Sequence, residues 1–368
     1  MTPAEIQHGS GSLREPWERY CEALREAGHL VLARSPANAI DRTEGLRYVT
    51  RLARMALKFC VEYADPAFPE LVQYMDATQK FGVDNPDQLY LWARISEEHE
   101  YRLVGPRGTA AYVGIGVYGG SAGRGGRRTI AHVHADDLEI GPDGNLDVVL
   151  STREHPGNWI RLEPDTTTLM VRQTMNDRRR EAPGALRLVR LGSTGVPPLL
   201  TPERIAKGLE RAARQIRASI VIFADLADRW AANPNVLHPS DTRMAEQSFG
   251  DPDLYYMGGY WRIAPDQALT IEFVPPACRY WSFLLCNYWT ESLEYRYRPI
   301  WTNGHLARYR ADGSVRIVVA HRDPGLSDAT WIDTEGHGEG TMTLRWLLAD
   351  QTPVPTPRLV RFEELRRG

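Results

Sequence analysis

Two stretches of this chain, "DNPDQLYLWARI" at residues 84–95 and "GDPDLYYMGGYWRI" at 250–263, share Pro-Asp, a following Tyr and a closing Arg-Ile. The residues downstream of each agree as well. Aligned without gaps from Ile95 and Ile263, Tyr101 meets Leu269, Leu103 meets Ile271, Tyr112 meets Tyr280, Ile115 meets Phe283 and Val117 meets Leu285. The alternation of apolar residues stays in phase, as equivalent strands require. Further on, "PDGNLDVVLSTRE" at 142–154 matches "ADGSVRIVVAHRD" at 311–323, and each leads to a Trp-Ile pair, Trp159-Ile160 and Trp331-Ile332. Then "VRQTMND" echoes "LRWLLAD", with Arg172 five residues before Asp177 and Arg345 five before Asp350. Several blocks in one order mean an internal duplication, a strand-rich unit built twice.

A chain of 368 residues has the length for two such cores. The sequence predicts a mainly β fold of two tandem, related antiparallel β-sandwiches, with helices before and between them. The expected parts are a helical region over 1–81, a first sandwich over 82–195, a helix and linker over 196–250, a second sandwich over 251–357 and a tail over 358–368. Helical spacing of apolar residues predicts helices over 14–30, 43–63 and 202–230, with Asp41 or Thr43 capping the second. Asp143-Gly144 and Asp312-Gly313 are tight-turn signals.

Composition narrows the function by exclusion. A net charge of −3 gives no bulk electrostatic reason to expect a nucleic-acid or membrane partner. No apolar run is long enough to span a bilayer, and the first residues lack the pattern of a secretory leader. Four scattered cysteines without a CxxC pair fit reduced thiols, so a cytoplasmic location is expected. A homo-oligomer is compatible with the fold class.

Two glycine motifs are tempting. "GIGVYG" at 114–119 satisfies G-x-G-x-x-G and "GGSAG" at 119–123 satisfies G-x-S-x-G, yet both need a helix immediately after them. The glycine-rich "SAGRGGRRT" is no helix, and the matching stretch of the second copy, "SFLLCNYW", reads as strand. No nucleotide cofactor is implied. From Gly126, "GRRTIAHVHADDLE" reads G-x5-H-x-H-x4-E, close to a cupin metal motif with His132, His134 and Glu139 as ligands. The further histidine such a site needs has no counterpart in the right order, so a metal-dependent cupin-like enzyme stands as an alternative only.

Polar and aromatic residues are densest in the second copy, in "NYWTESLEYRYRPIWTNGH" and "HRDPGLSDATWIDTEGHGEGTMTLRW". Carboxylates, a histidine and aromatic faces together suit a sugar or other polar small molecule. The leading expectation is a hydrolase-like enzyme with Glu291 and His337 as acid and base. Trp289 and Tyr295 would stack on the substrate, Asn303, Asp323 and Trp331 would contact it, and Arg345 would anchor an anion or hydroxyl. No cofactor is required. The competing class is a non-catalytic ligand-binding or oligomeric assembly protein. Residues shared by the copies, including the Arg172/Asp177 and Arg345/Asp350 pairs, are expected to be scaffold, the pairs as ion pairs.

"ESLEYRYRPIWTNG" followed by "HRDPGLSDATWIDTEGHGEGTMTLRW" resembles the bacterial proteins that carry domain of unknown function 1214. The first copy, with "NPDQLYLWARI", "DGNLDVVLS" and "NWIRL", looks like the amino-terminal region of such chains and is distantly similar to domain of unknown function 1254. The resemblance implies tandem β-sandwiches of double jelly-roll type and no established activity. Its pattern has Asn before the Trp of the second copy, where this chain has Thr330, although Asn158-Trp159 keeps it in the first.

Overall fold

The computed structural model describes residues 11–121, 126–193, 195–239 and 248–366. Among these described residues eighteen strands form four sheets, and the second half repeats the first strand for strand. In the first half one sheet has the order β1 (Val72–Met75), β2 (Gln88–Arg94), β8 (Thr166–Thr174), β4 (Tyr112–Ser121), β5 (Gly126–His134). Its partner has the order β7 (Trp159–Arg161), β6 (Asn145–Ser151), β3 (Tyr101–Pro106), β9 (Arg187–Arg190). The second half uses the same orders. They are β10 (Val236–Pro239), β11 (Leu254–Arg262), β17 (Glu339–Leu347), β13 (Tyr280–Leu285), β14 (Trp301–Asn303), and β16 (Thr330–Asp333), β15 (Val315–Ala320), β12 (Gln267–Phe273), β18 (Arg358–Arg361). This is the tandem sandwich fold, duplication included.

Three details differ from expectation. The pairs β6–β7 and β15–β16 are parallel, so the smaller sheets are mixed. Strands β1 and β10 lie outside the expected sandwich limits, and the expected tail supplies β18, which pairs with β12. An edge strand needs only its alternate backbone groups paired, so runs as short as "RLVR" carry little sequence signal.

Among the described residues three helices accompany the sheets: α1 (Gly11–Arg34), α2 (Ala39–Leu57) and α3 (Pro202–Ala231). Asn38 caps α2, its Oδ1 accepting from the Asp41 amide at 2.9 Å, in place of the expected Asp41 or Thr43. A π-helical turn over Lys58–Glu62 ends that helix. No helix among the described residues is long and apolar enough to cross a membrane. "GIGVYG" lies within β4, so no phosphate-binding turn forms there, and residues 122–123 of "GGSAG" lie outside the described residues.

Each half has its own core. In β8 the period of two sends Leu169 and Val171 into the first core and Met170 and Arg172 to the opposite face. In β17, Met342, Leu344 and Trp346 enter the second core and Thr343 and Arg345 face away from it. These second faces are not left to solvent. Helices pack over the first, with Tyr90, Trp92 and Met170 joining Ile216, Ile220 and Ala224 of α3.

Candidate functional site

The two halves lock together through their repeated Pro-Asp signatures. Tyr280 donates to Asp87 Oδ2 at 2.7 Å and accepts from Asn85 Nδ2 at 3.1 Å. Reciprocally, the Tyr112 hydroxyl lies 2.9 Å from Asp251 Oδ1 and 3.0 Å from Asp253 Oδ2. Within each signature the residue before the proline turns the chain back: Asn85 Oδ1 accepts from the Asp87 amide at 3.0 Å, and Asp251 Oδ1 from the Asp253 amide at 3.1 Å. The tyrosine further along each signature then accepts from that same residue's amide, Tyr90 from Asn85 and Tyr256 from Asp251, both at 3.1 Å.

That geometry builds a cavity. Tyr90 is the cross-strand partner of Arg172, and Tyr256 of Arg345. All four line a cavity of about 670 Å3, roofed by Phe223, Leu226 and Trp230 of α3. Gly258 makes room for the roof, since a Cβ there would lie 2.1 Å from the Trp230 ring. The volume is in the range of small-molecule sites.

Three arginines line the cavity, Arg172, Arg229 and Arg345, against one carboxylate among the described residues, Asp225, which accepts from Arg34 at 2.9 Å. Arg172 Nη1 donates to the Tyr118 hydroxyl at 3.1 Å. Arg345 Nη2 donates to the Val83 carbonyl, while its Nη1 is buried without a partner among the described residues, as is the Thr343 hydroxyl two residues away on the same face. The expected ion pairs with Asp177 and Asp350 do not form: Asp177 meets Arg180 and His305, and neither arginine forms an ion pair among the described residues. Each strand continues past its arginine into a turn, so five residues of separation do not bring the side chains back together. The Tyr90 and Tyr256 hydroxyls accept from backbone amides and donate to no acceptor among the described residues. Burial pushes both phenols above their ordinary value, so they stay protonated.

Of the residues expected to bind substrate, Arg345 alone reaches this cavity. Glu291, His337 and Trp289 come together elsewhere, against α2. Glu291 is fully enclosed, with Oε1 on Arg51 at 2.6 Å and Oε2 on Asn287 at 3.1 Å. Burial pushes its carboxyl up, and Arg51 and Asn287 pull it back. Asn287 also donates to Glu44 at 2.9 Å, and Glu44 meets His337 Nε2 at 2.9 Å. His337 Nδ1 lies 3.1 Å from the Thr334 carbonyl, an acceptor only, so Nδ1 carries hydrogen, and the Glu44 carboxylate at Nε2 favours the imidazolium form. Burial alone would lower its pKa, but Glu44 raises it above the ordinary value. Trp289 is buried, donating to the Asp41 carbonyl at 2.9 Å and stacking on Tyr48. Tyr295 lies under the Lys80 ammonium at 4.7 Å, and Asn303 donates to Asp87 at 3.0 Å within the joint between halves.

Asp323 and Trp331 lie apart from both places. Asp323 is exposed and accepts from the Gly325 amide in a turn. Trp331 donates to the Ala320 carbonyl at 2.9 Å, much as Trp159 donates to Ser151 in the first half. Asn158 braces its loop by bonds to the Glu139 and Asp147 carbonyls, and Thr330 does comparable work by accepting from the Arg308 amide. The change from Asn to Thr thus affects a loop brace.

The cupin-like ligand set is not assembled. His132 Nε2 lies 3.2 Å from Asp251 and 3.1 Å from Asp253, His134 stacks on Tyr112, and the exposed Glu139 pairs its amide with Asn158. A strand holds two histidines on one face, but the turn after it carries Glu139 away. Among the described residues two groups have ligand atoms close enough to share a cation: His132, Asp251 and Asp253, and Asp41, Glu44 and His337. In the first the Tyr112 hydroxyl, 3.0 Å from His132 Nε2, already sits against all three. In the second an imidazolium already answers Glu44.

A crystal structure of an uncharacterised protein from Burkholderia cenocepacia is 40% identical to this chain, with a TM-score of 0.91 over 95% of this chain and 97% of that one. Residues 263–351 match the family model described as "Protein of unknown function (DUF1214)". The chain belongs to the DUF1214 family. In this DUF1214 protein the matched residues include β12 to β17, and so Arg345 and His337, but not the first half of the joint. A Vibrio parahaemolyticus structure covers 86% of this chain and 98% of its own at 11% identity, with a TM-score of 0.49, too weak a likeness to carry an inference. No curated protein matches the chain.

Proposed function

We propose that this protein binds a small organic anion, an apolar body carrying a carboxylate or similar acid group, in the cavity between its two halves. The observation that carries this reading is Arg345, whose buried Nη1 has no partner among the described residues and which lines the cavity together with its counterpart Arg172. A buried guanidinium donor left open costs the fold free energy, and a ligand oxyanion relieves it. The tyrosine hydrogens and Thr343 supply further donors, and the aromatic and aliphatic roof suits an apolar body.

A glycan is less well served, because the one carboxylate among the described lining residues, Asp225, already accepts from Arg34. The acid/base roles expected for Glu291 and His337 are likewise less well supported: both are closed into ion pairs, and neither lines this cavity. Binding, with or without a chemical step, is therefore the reading we adopt. Four free cysteines are compatible with a cytoplasmic setting for it.

The test is equilibrium binding of decanoate, decanol and decylamine to the full chain and to Arg345→Met. Decanoate is expected to bind at least about tenfold tighter than decanol, the worth of one charge-assisted hydrogen bond, and to lose that advantage in Arg345→Met. Equal binding of the acid and the alcohol overturns the reading.

A further inference from the structure

A second cavity, of about 140 Å3, lies where the ends of β2, β5 and β8 meet the π-helical turn of α2 and the middle of α3. Its volume is about ten times what one water needs. Three arginines line it, Arg94 from β2, Arg127 from β5 and Arg211 from α3, and no carboxylate does among the described residues. Arg94 and Arg211 make no side-chain hydrogen bond or ion pair among the described residues. Arg127 is held in place by the Phe249 ring, 4.0 Å from its guanidinium carbon. Burial, and then the charge of Arg211, depress Arg94 below the ordinary arginine value, as expected where cations face one another without an anion between them. The wall on the helical side is the π-turn itself, through Phe59 and Cys60, and such turns are frequent at binding sites. The Thr167 and Thr168 hydroxyls add polar groups on the opposite wall.

We infer that this cavity is a binding site for a tetrahedral oxyanion of the phosphate class, gripped by the forked donors of Arg94 and Arg211, with Arg127 adding its charge to the wall. Two sources share that chemistry: the free ion, and the terminal phosphoryl group of a larger molecule. The larger source is sterically reasonable because Tyr74 and Phe249 line both cavities, which makes them neighbours. The inference stands on its own residues and does not rest on the reading of the larger cavity.

The experiment is isothermal titration of the full chain with inorganic phosphate and with octyl phosphate in low-chloride buffer, on the wild type, Arg94→Gln, Arg211→Gln and Arg345→Met. Inorganic phosphate is expected to bind the wild type, to lose tenfold or more in each of the first two variants, and to be unchanged in Arg345→Met. Because Arg94→Gln removes a charge that has no partner, its melting temperature without phosphate is expected to equal or exceed the wild type, which shows that it folds. Because octyl phosphate also suits the larger cavity, it is compared in Arg345→Met: binding there as inorganic phosphate does assigns the site to the free ion, and tighter binding assigns it to the head of a larger molecule. No binding of inorganic phosphate to the wild type, or equal binding to wild type and Arg94→Gln, overturns the inference. A phosphate effect that survives in Arg345→Met, beside a decanoate effect that does not, keeps the two sites apart.

Discussion

Tyr280 donates its phenolic hydrogen to Asp87 across the joint between the two halves at 2.7 Å, and both side chains are buried. Tyr112 and Asp253 make the reciprocal contact at 3.0 Å. The Pro-Asp signature is thus repeated because each copy receives a tyrosine from the other, and the same turn sets Tyr90 and Tyr256 beside Arg172 and Arg345.

Removing that donor leaves a buried carboxylate short of a bond. Tyr280→Phe is expected to lower stability by about 1–3 kcal/mol, since Asp87 keeps only Asn303 and Trp301. Tyr112→Phe is expected to cost less, because the buried Asp251 keeps His132 at 3.2 Å and the Asp253 amide at 3.1 Å, and the Asp253 side chain is 26% exposed to water. Urea unfolding of both variants checks the order, and a larger loss in Tyr112→Phe would contradict it.

Gly258→Ala tests the roof of the cavity. The new methyl meets the Trp230 ring, so the ring moves or the strand shifts, at about 1–3 kcal/mol. Decanoate affinity is expected to fall with it, read from a binding isotherm at a temperature where the variant is folded. Undiminished affinity would place the ligand away from Trp230.

Glu291→Gln separates fold from function. Losing one partner of this enclosed pair is expected to cost about 3 kcal/mol, the low end for buried pairs because the Arg51 side chain retains 12% exposure. Decanoate binding by the folded fraction is expected to be unchanged. A selective loss of binding or of a measured activity, with stability intact, would return Glu291 to the site.

The Glu44–His337 pair gives a pH dependence. His337 is raised above its ordinary 6.5, so its contribution is complete below that value and is lost as pH climbs through the higher folded value. Glu44 is lowered from 4.5: burial opposes the shift, and His337 outweighs it. Its contribution is present above 4.5 and is lost as pH falls through the lower folded value. Thermal melts of wild type and His337→Gln between about pH 5 and about pH 9 are expected to converge on the alkaline side. Parallel curves across that range would refute the assignment.

Much of the scaffold was legible. The phase of apolar residues around Leu103 and Ile271, or Val148 and Ile317, marks strands with one buried face, because that period is written locally. The alternation in "TMTLRWL" was legible too, but its meaning was not. Threonine and arginine on alternate positions suggest a solvent face, and the structure covers that face with α3 and the other half. For the same reason His337 and Glu291 drew attention as a polar cluster, although what they meet, Glu44 and Arg51, lies on a helix some 240 residues and more away in sequence.

The sequence by itself determined that one β-sandwich is built twice and which residues face each core, since both rest on a repeat and a period of two. Only the tertiary structure decided that the shared residues, Tyr90, Arg172, Tyr256 and Arg345, meet around one cavity. The physical reason is that burial of a strand's second face depends on what docks against it, and no local pattern records the docking partner.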